Sequence, residues 1–189
     1  MRKILFLIIA TLLLKFTYGQ KLDLFTVKGG AKLIATWNSK KAADANYRLK
    51  SYGTLINGDK IQIGFAQSGF TVSAFHNNEE KQLVQDMTAQ DVKGGMDSTI
   101  VKVYQYDFGN DGENEIMVVY SSEFSVTTVK VFRYSNGLAE LVGNFGGQFD
   151  VVLDKNIITL PIGSQGDNYE YLYRKGKFYA LEYHNPNQK

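Results

Sequence analysis

The chain has 189 residues, of which 44% are hydrophobic, and it carries 21 Lys and Arg residues against 19 Asp and Glu residues. It contains no cysteine, which excludes a disulfide-stapled scaffold, a zinc site built on cysteine and a lipid-modified cysteine. Its formal net charge of +2 is small for a protein that binds a polyanion.

The N-terminus predicts a secretory signal peptide. A basic start, Met1-Arg2-Lys3, precedes a run over 4–14 that is apolar except for Thr11, and the small residues Thr17 and Gly19 follow. The run is about half of the ~20 residues that a membrane-spanning helix needs. We therefore expect cleavage after residue 19 and export to the periplasm or the extracellular space, with no membrane anchor after cleavage. An uncleaved N-terminal tether is the alternative.

Cleavage changes the charge and leaves one domain. Residues 1–19 hold three basic residues and no acidic one, so 18 basic residues remain against 19 acidic ones. A net charge of about −1 gives no clustered positive field, and we expect no nucleic-acid partner. Residues 20–189 are sufficient for a single packed domain, which we expect to be β-rich with a frayed tail over 184–189.

The first half of the mature chain predicts a meander with little helix. Apolar residues alternate at Ile61, Ile63 and Phe65, and the preceding Asn57-Gly58 suits a type I′ turn. A strand over 70–76 follows. Asn77 with Glu80 resembles a helix capping box, so we expect a short helix over 79–88. We expect another turn of helix over 39–46.

The second half predicts eight strands joined by tight turns. The central one, over 116–120, is apolar on both faces, as a strand covered on both sides should be. Three glycines, Gly143, Gly146 and Gly147, predict a wide turn. The turns Asn136-Gly137 and Lys175-Gly176 separate other strands. The predicted strands cover 99–107, 115–121, 127–134, 138–144, 148–153, 157–162, 169–173 and 177–183.

These elements predict an all-β fold, an antiparallel meander of about ten short strands with at most one or two short helices. One internal echo bears on its shape, since residues 130–138 resemble residues 170–178, and their turn glycines, Gly137 and Gly176, are 39 positions apart. Propeller blades repeat at about 40 residues, but all hairpins share such features. A sandwich, an open barrel and a partial propeller remain open, and the first two are favoured.

One motif carries readable chemistry. In the stretch DFGNDGENE over 107–115, Asp107, Asp111 and Glu115 occupy loop positions one, five and nine, and a strand follows at once. This pattern resembles the calcium loops of FG-GAP and VCBS-type repeats, found in integrin-like propellers and many exported bacterial proteins. The resemblance covers residues 107–120 only.

The resemblance implies a calcium site with oxygen ligands at positions one, three, five and nine. Position three is Gly109 here, and Asn110 stands one place late, so the implied ligands are Asp107, Asn110, Asp111 and Glu115. Calcium prefers six to eight oxygens, and a tight loop can bring alternate carboxylates to one point. The alternative is a plain polar turn, because Asn-Asp-Gly is also good turn chemistry.

Other candidate sites are weaker. The two histidines, His76 and His184, lack the spacing of a zinc site or of a catalytic pair, so we expect solvated side chains and no catalytic residue. Tyr169, Tyr171 and Tyr173 share one strand face, with Tyr179 and Tyr183 beside them. This face forms either a ligand-binding platform or, as we expect, a core layer.

The sequence thus predicts an exported, non-catalytic binding or interaction module whose partner is an unknown protein or glycan, and which calcium stabilises if the loop binds it. Two alternatives remain. One is a periplasmic inhibitor or protective protein that acts on another protein. The other is a carbohydrate-binding or hydrolytic domain, because paired acids for hydrolysis cannot be recognised from spacing alone.

Overall fold

The computed structural model describes residues 25–38, 50–66, 69–86, 99–121, 126–148, 150–163 and 167–181. The predicted signal peptide, the predicted helical segment over 39–46, His184 and the predicted frayed tail lie outside these residues. The described part consists of strands and connecting turns and has no helix, which confirms the all-β prediction. No helix long and apolar enough to cross a membrane occurs in it.

Fourteen strands are present in the described part, more than the sequence predicted, because β1 and β2 were not expected and β6 was assigned to a helix. The strands are β1 Val27–Lys28, β2 Lys32–Asn38, β3 Lys50–Thr54, β4 Lys60–Ala66, β5 Gly69–His76, β6 Glu79–Asp86, β7 Ile100–Tyr106, β8 Glu115–Ser121, β9 Val126–Ser135, β10 Leu138–Gln148, β11 Val151–Asp154, β12 Ile157–Ile162, β13 Asp167–Arg174 and β14 Lys177–Ala180.

The strands form three open sheets, each built on a meander of four consecutive strands. The first sheet has the order β3-β4-β5-β6, the middle sheet β10-β9-β8-β7-β2 and the third sheet β1-β11-β12-β13-β14. All neighbours are antiparallel except β1 and β11. The two echoed turns, at Gly137 and Gly176, both join the third and fourth strands of a meander, so the echo reflects equivalent hairpins.

The middle sheet is covered on both faces. Every position of β8 is buried. Ile116, Val118 and Tyr120 point into the first core, between the first and middle sheets, whereas Met117 and Val119 point into the second core, between the middle and third sheets. This alternation confirms the prediction of a central strand, and burial of each such side chain stabilises the fold by about 1.5–3 kcal/mol.

The predicted helix over 79–88 is wrong, because residues 79–86 form β6. Asn77 and Asn78 have φ angles of 50° and 70°, which make a two-residue hairpin loop that pairs His76 with Glu79. The structure also explains why the apolar residues Leu83 and Val84 of β6 have the spacing of a helix. Leu83 is an extra residue in the ladder with β5, and this bulge lets Leu83 and Val84 both pack on the first core.

Two predicted turns also differ from the structure. At Asn57-Gly58 only Gly58 has a positive φ, of 91°, and the N–H of Gly58 donates to the Leu55 carbonyl within a longer loop, so the turn is not type I′. The expected wide turn at Gly143–Gly147 is part of β10. A Cβ on Gly147 would lie 2.8 Å from Leu160, so glycine there allows β10 to approach the third sheet closely. A Cβ on Gly143 would first meet the ring of Phe145, in the same strand, at 2.6 Å, and then Phe178 at 2.9 Å.

The start of the described chain is held by one acidic residue. Asp150 accepts hydrogen bonds from the Thr26 N–H, at 3.1 Å, and from its hydroxyl, at 2.7 Å. Lys28 Nζ lies 2.7 Å from the other carboxylate oxygen. These contacts lower the pKa of Asp150, the bond from Lys28 contributing most. They fasten β1 beside β11, the one parallel pair among the described strands.

The hairpin at Asn77-Asn78 can be tested by paired substitutions at exposed Asn78. Asn78→Ala should lower the free energy of unfolding by about 1 kcal/mol, because alanine tolerates a left-handed conformation poorly, whereas Asn78→Gly should not. A helix would give the opposite order, since alanine favours helix over glycine by about 1 kcal/mol. Urea denaturation of the two variants measures the difference, and an alanine variant more stable than the glycine variant would contradict the hairpin.

The role of Asp150 can be tested through pH. Since its folded pKa lies below the ordinary value of 3.8, its stabilisation is present above that value and is lost as pH falls through the folded pKa. Asp150→Asn keeps an acceptor for Thr26 and removes the charge. Near pH 6 we expect the free energy of unfolding of wild type to exceed that of Asp150→Asn by at most about 1 kcal/mol, because the ion pair is screened by solvent around Lys28, which is 61% exposed. Near pH 3 the difference should be smaller.

The measurement is urea unfolding of wild type and variant at both pH values. Asp154→Asn is the control, since Asp154 is exposed and makes no ion pair among the described residues. A difference between wild type and Asp150→Asn that is the same at both pH values would contradict the assignment.

Candidate functional site

The loop over 107–115 joins β7 to β8 and is closed by its own hydrogen bonds. One carboxylate oxygen of Asp107 accepts the N–H of Asp111 at 3.2 Å, and the other accepts the N–H of Gly112 at 2.8 Å. Asp111 Oδ1 accepts the N–H of Glu113 at 3.0 Å. Asn110 and Gly112 have left-handed φ angles of 53° and 86°. The backbone of the loop is therefore folded around two aspartates.

Glu115 anchors the loop from below. Its side chain is only 4% exposed, Oε2 accepts the N–H of Phe108 at 3.1 Å, and Oε1 accepts the hydroxyl of Tyr173 at 2.6 Å. Burial raises the pKa of Glu115, and the two hydrogen bonds oppose the rise. Because Tyr173 lies in β13, this pair joins the middle sheet to the third sheet directly beneath the loop.

Phe108 adds an apolar anchor. It is fully buried in the second core, and its ring contacts those of Tyr106, Tyr173 and Phe178 at centroid distances of 4.7, 5.8 and 5.2 Å. Aromatic pairs of this geometry contribute about 0.5–1.5 kcal/mol each beyond their buried area. Two side chains that point inward, those of Phe108 and Glu115, thus attach the polar loop to the second core.

The four predicted calcium ligands lie in this loop but do not all face one point. Asn110 lines a different cleft from Asp111 and Glu115. Among the residues that the structure describes, no group of three or more acidic or histidine side chains is arranged to hold a metal ion. Calcium binding by these residues remains a prediction from the motif.

Three clefts border the loop. The largest, the amide cleft, has a volume of about 660 Å³, and Gln105, Asn110, Asn114, Asn156, Lys32 and Lys155 line it together with the edge of the loop. The arginine cleft, of about 320 Å³, contains Glu115, Tyr173, Arg133 and Arg174 in its lining. The hairpin cleft, of about 270 Å³, has Ile56, Tyr134 and Asn136 in its lining.

The clefts are contiguous around the loop. Phe108, Gly109 and Asn156 line both the amide and the arginine cleft. Gln105 and Asn114 line both the amide and the hairpin cleft. The sequence analysis did not single out Gln105, because one glutamine at a strand end carries no pattern that marks it.

Gln105 also connects two sheets. It is only 5% exposed, and its Oε1 accepts the N–H of Ile56 at 2.8 Å, which ties the β3–β4 loop of the first sheet to β7. Within the described residues its Nε2 donates no hydrogen bond. Gln105 therefore lines two clefts, and its Nε2 is available to donate a hydrogen bond to a molecule in either of them.

His76 has partners that the sequence analysis did not predict. Its Nδ1 lies 3.0 Å from both carboxylate oxygens of Asp59, and the Tyr134 hydroxyl donates to Asp59 Oδ2 at 3.0 Å. His76 is therefore only partly solvated, with 31% of its side chain exposed, and it has a specific partner. Burial and the bond to Asp59 raise the pKa of Tyr134. This cluster fastens the first sheet to β9, since Asp59 precedes β4 and Tyr134 belongs to the middle sheet.

The tyrosine face of β13 packs mainly as core. Tyr173 is buried and Tyr171 packs against the second core, which confirms the core interpretation for these two. For Tyr169 the core interpretation is wrong, because this residue is 43% exposed. The expected placement of Tyr179 beside them is wrong, because Tyr179 pairs with Leu172, on the opposite face of the sheet, and is 51% exposed. Tyr183 lies outside the described residues.

The anchor beneath the loop can be tested with two matched tyrosine variants. Tyr173→Phe removes the donor to buried Glu115 Oε1 and should lower the free energy of unfolding by about 1–3 kcal/mol. Tyr171→Phe is the control on the same strand face, because the Tyr171 hydroxyl makes no hydrogen bond among the described residues, and should cost less than about 0.5 kcal/mol. Urea denaturation measures both, and equal losses would contradict the anchor.

Comparisons with known proteins do not assign the chain to a family. No family model matches the chain, and no curated protein or solved structure is significantly similar to it. The resemblance of residues 107–120 to FG-GAP and VCBS-type calcium loops therefore remains a prediction from the motif. The function has to be argued from the loop, its two anchors and the three clefts that border it.

Proposed function

We propose that this protein is an exported, non-catalytic binding module that recognises a protein or glycan partner through the loop over 107–115 and its clefts. One observation carries the proposal: the three contiguous clefts described above all border this loop. Binding sites are typically concave, with a few convergent polar groups, and lie on loops held by a rigid scaffold. A loop between three β-sheets meets both conditions.

The chemistry around the loop favours binding over catalysis. Glu115, the buried carboxyl whose pKa is raised, already accepts two hydrogen bonds, and His76 is held by Asp59 at a contact between sheets. His76 lines none of the three clefts, and both carboxylate oxygens of Glu115 are already engaged by hydrogen bonds. The cleft linings instead present amides, lysines and arginines, which hold ligands by hydrogen bonds and charge.

The proposal can be tested in a pull-down with variants of residues that line the clefts, called rim variants below. The immobilised protein is exposed to the envelope fraction of its cells and to a glycan array. Lys155→Glu changes the amide cleft and Arg174→Glu the arginine cleft, while Lys81→Glu, exposed on β6 and absent from all three linings, is the control. We expect a partner that wild type and Lys81→Glu retain and at least one rim variant loses. Retention by all variants would refute the location of the site.

Calcium stabilisation is a separate part of the proposal and rests on the motif alone. If the loop binds calcium with the ~1 mM affinity common in extracellular modules, 10 mM calcium should raise the melting temperature by about 3–5 °C. Asp111→Ala should abolish the rise, whereas Glu113→Ala, which removes a neighbouring exposed carboxylate outside the predicted ligand set, should keep it.

The comparison is made with and without calcium within each variant, so that any destabilisation by the substitution itself cancels. No shift for wild type up to about 10 mM calcium would exclude a calcium role of this loop at extracellular concentrations.

A further inference from the structure

We propose that the amide cleft binds an acidic saccharide, a sugar unit that carries a carboxylate. The inference rests on the proposed function and names the ligand class for one of the three clefts. Its volume of about 660 Å³ lies within the ~300–1,000 Å³ of typical small-ligand sites. Three features carry the inference: the amides of the lining, the unused donor of Gln105, and the charge of the rim.

The lining is rich in groups that match hydroxyls. Side-chain amides come from Gln105 at the end of β7, Asn110 and Asn114 in the loop, and Asn156 in the turn between β11 and β12. An amide both donates and accepts hydrogen bonds, as a sugar hydroxyl does. Gln105 Oε1 already accepts from Ile56, and Asn156 Nδ2 donates to the Tyr173 carbonyl at 3.3 Å, so these two amides offer a ligand their remaining donors and acceptors. Tyr106 adds an aromatic surface, and the backbone of Lys155 is hydrogen-bonded to its hydroxyl.

Gln105 supplies the donor that no protein group uses. Its side chain is more than nine-tenths buried, and its Oε1 is engaged by the N–H of Ile56. Nε2 has no acceptor among the described residues. Nε2 is not among the fully buried side-chain atoms that lack a partner, so it reaches the solvent of the cleft. A ligand oxygen in the cleft can take the place of water as its acceptor.

The charge of the rim selects for an anion. Lys32 in β2 and Lys155 in the β11–β12 turn both line the cleft, and neither makes an ion pair among the described residues. The one carboxylate in the lining belongs to Asp107, and both of its oxygens accept backbone N–H groups of the loop. Burial and then the nearby charges of Asp154 and Asp107 raise the pKa of Tyr106, and Asp154 itself does not line the cleft. The lining therefore carries two lysines against one aspartate, a net charge of +1 that favours an anion.

The test uses a galacturonic acid trimer and its methyl ester as probes, with binding measured by calorimetry on the full protein. The ester keeps the hydroxyls and loses the charge, so we expect it to bind at least tenfold more weakly than the acid. Lys32→Glu and Lys155→Glu should each weaken binding of the acid about tenfold, and Lys81→Glu should not. Added salt should also weaken binding of the acid.

Two further variants test the amides. Gln105→Glu keeps the acceptor for Ile56 and replaces the Nε2 donor by a charged oxygen, so it tests donor and charge together. Asn110→Gly tolerates the left-handed φ and removes the amide without adding a charge. Both should weaken binding of the acid trimer about tenfold or more. If Gln105→Glu proves unfolded by its melting curve, Asn110→Gly, at an exposed position, keeps the amide contribution testable.

Each other result overturns the inference. Equal binding of acid and ester would show a site for neutral sugars, and acid binding that ignores all four cleft variants would place the site elsewhere. Binding of a short peptide with a free carboxyl terminus, but not of the trimer, would assign the cleft to a protein partner. In that last case, or if neither probe binds, a partner lost in the pull-down from the Lys155→Glu variant would leave the proposed function standing.

Discussion

The burial of Glu115 beneath a polar loop is the constraint on which the candidate site depends. A carboxyl that is removed from water costs free energy unless it is hydrogen-bonded, and here the donors come from Phe108 in the loop and Tyr173 in another sheet. Satisfying Glu115 therefore requires the loop, the middle sheet and the third sheet to meet at one place. The position of the loop is set by this requirement as much as by the turn residues within it.

The three-layer arrangement explains why clefts gather there. Strands of three twisted sheets end near the same loop, and polar links, Asp59 with Tyr134 and Gln105 with Ile56, hold the first sheet to the middle one. Apolar packing fills the two cores but does not fill the spaces between the sheet ends. Those spaces are lined by the polar ends of strands and turns, which is the setting in which binding sites commonly form.

The sequence pattern predicted those parts of the fold that depend on neighbouring residues in the chain. The two-faced apolar run of β8 and the turns Asn136-Gly137 and Lys175-Gly176 could be read from spacing, because burial and left-handed φ select residue types directly. β6 was misread because asparagine suits both a helix cap and a left-handed hairpin, and because the bulge at Leu83 imitates helical spacing. The partners Tyr173 and Gln105 could not be predicted, since Tyr173 lies 58 residues from Glu115 and contact across sheets leaves no local signal.

The departure of the loop from the calcium pattern and its closure by hydrogen bonds have one structural origin. A Cβ at Gly109, the position where the pattern places a ligand, would lie 2.7 Å from a carboxylate oxygen of Asp111. Glycine there lets Asp111 fold back over the loop, while Asp107 accepts two backbone N–H groups on its other side. Asn110 then takes the left-handed turn and faces the amide cleft. These hydrogen bonds, together with the anchors Phe108 and Glu115, hold the loop in the described conformation.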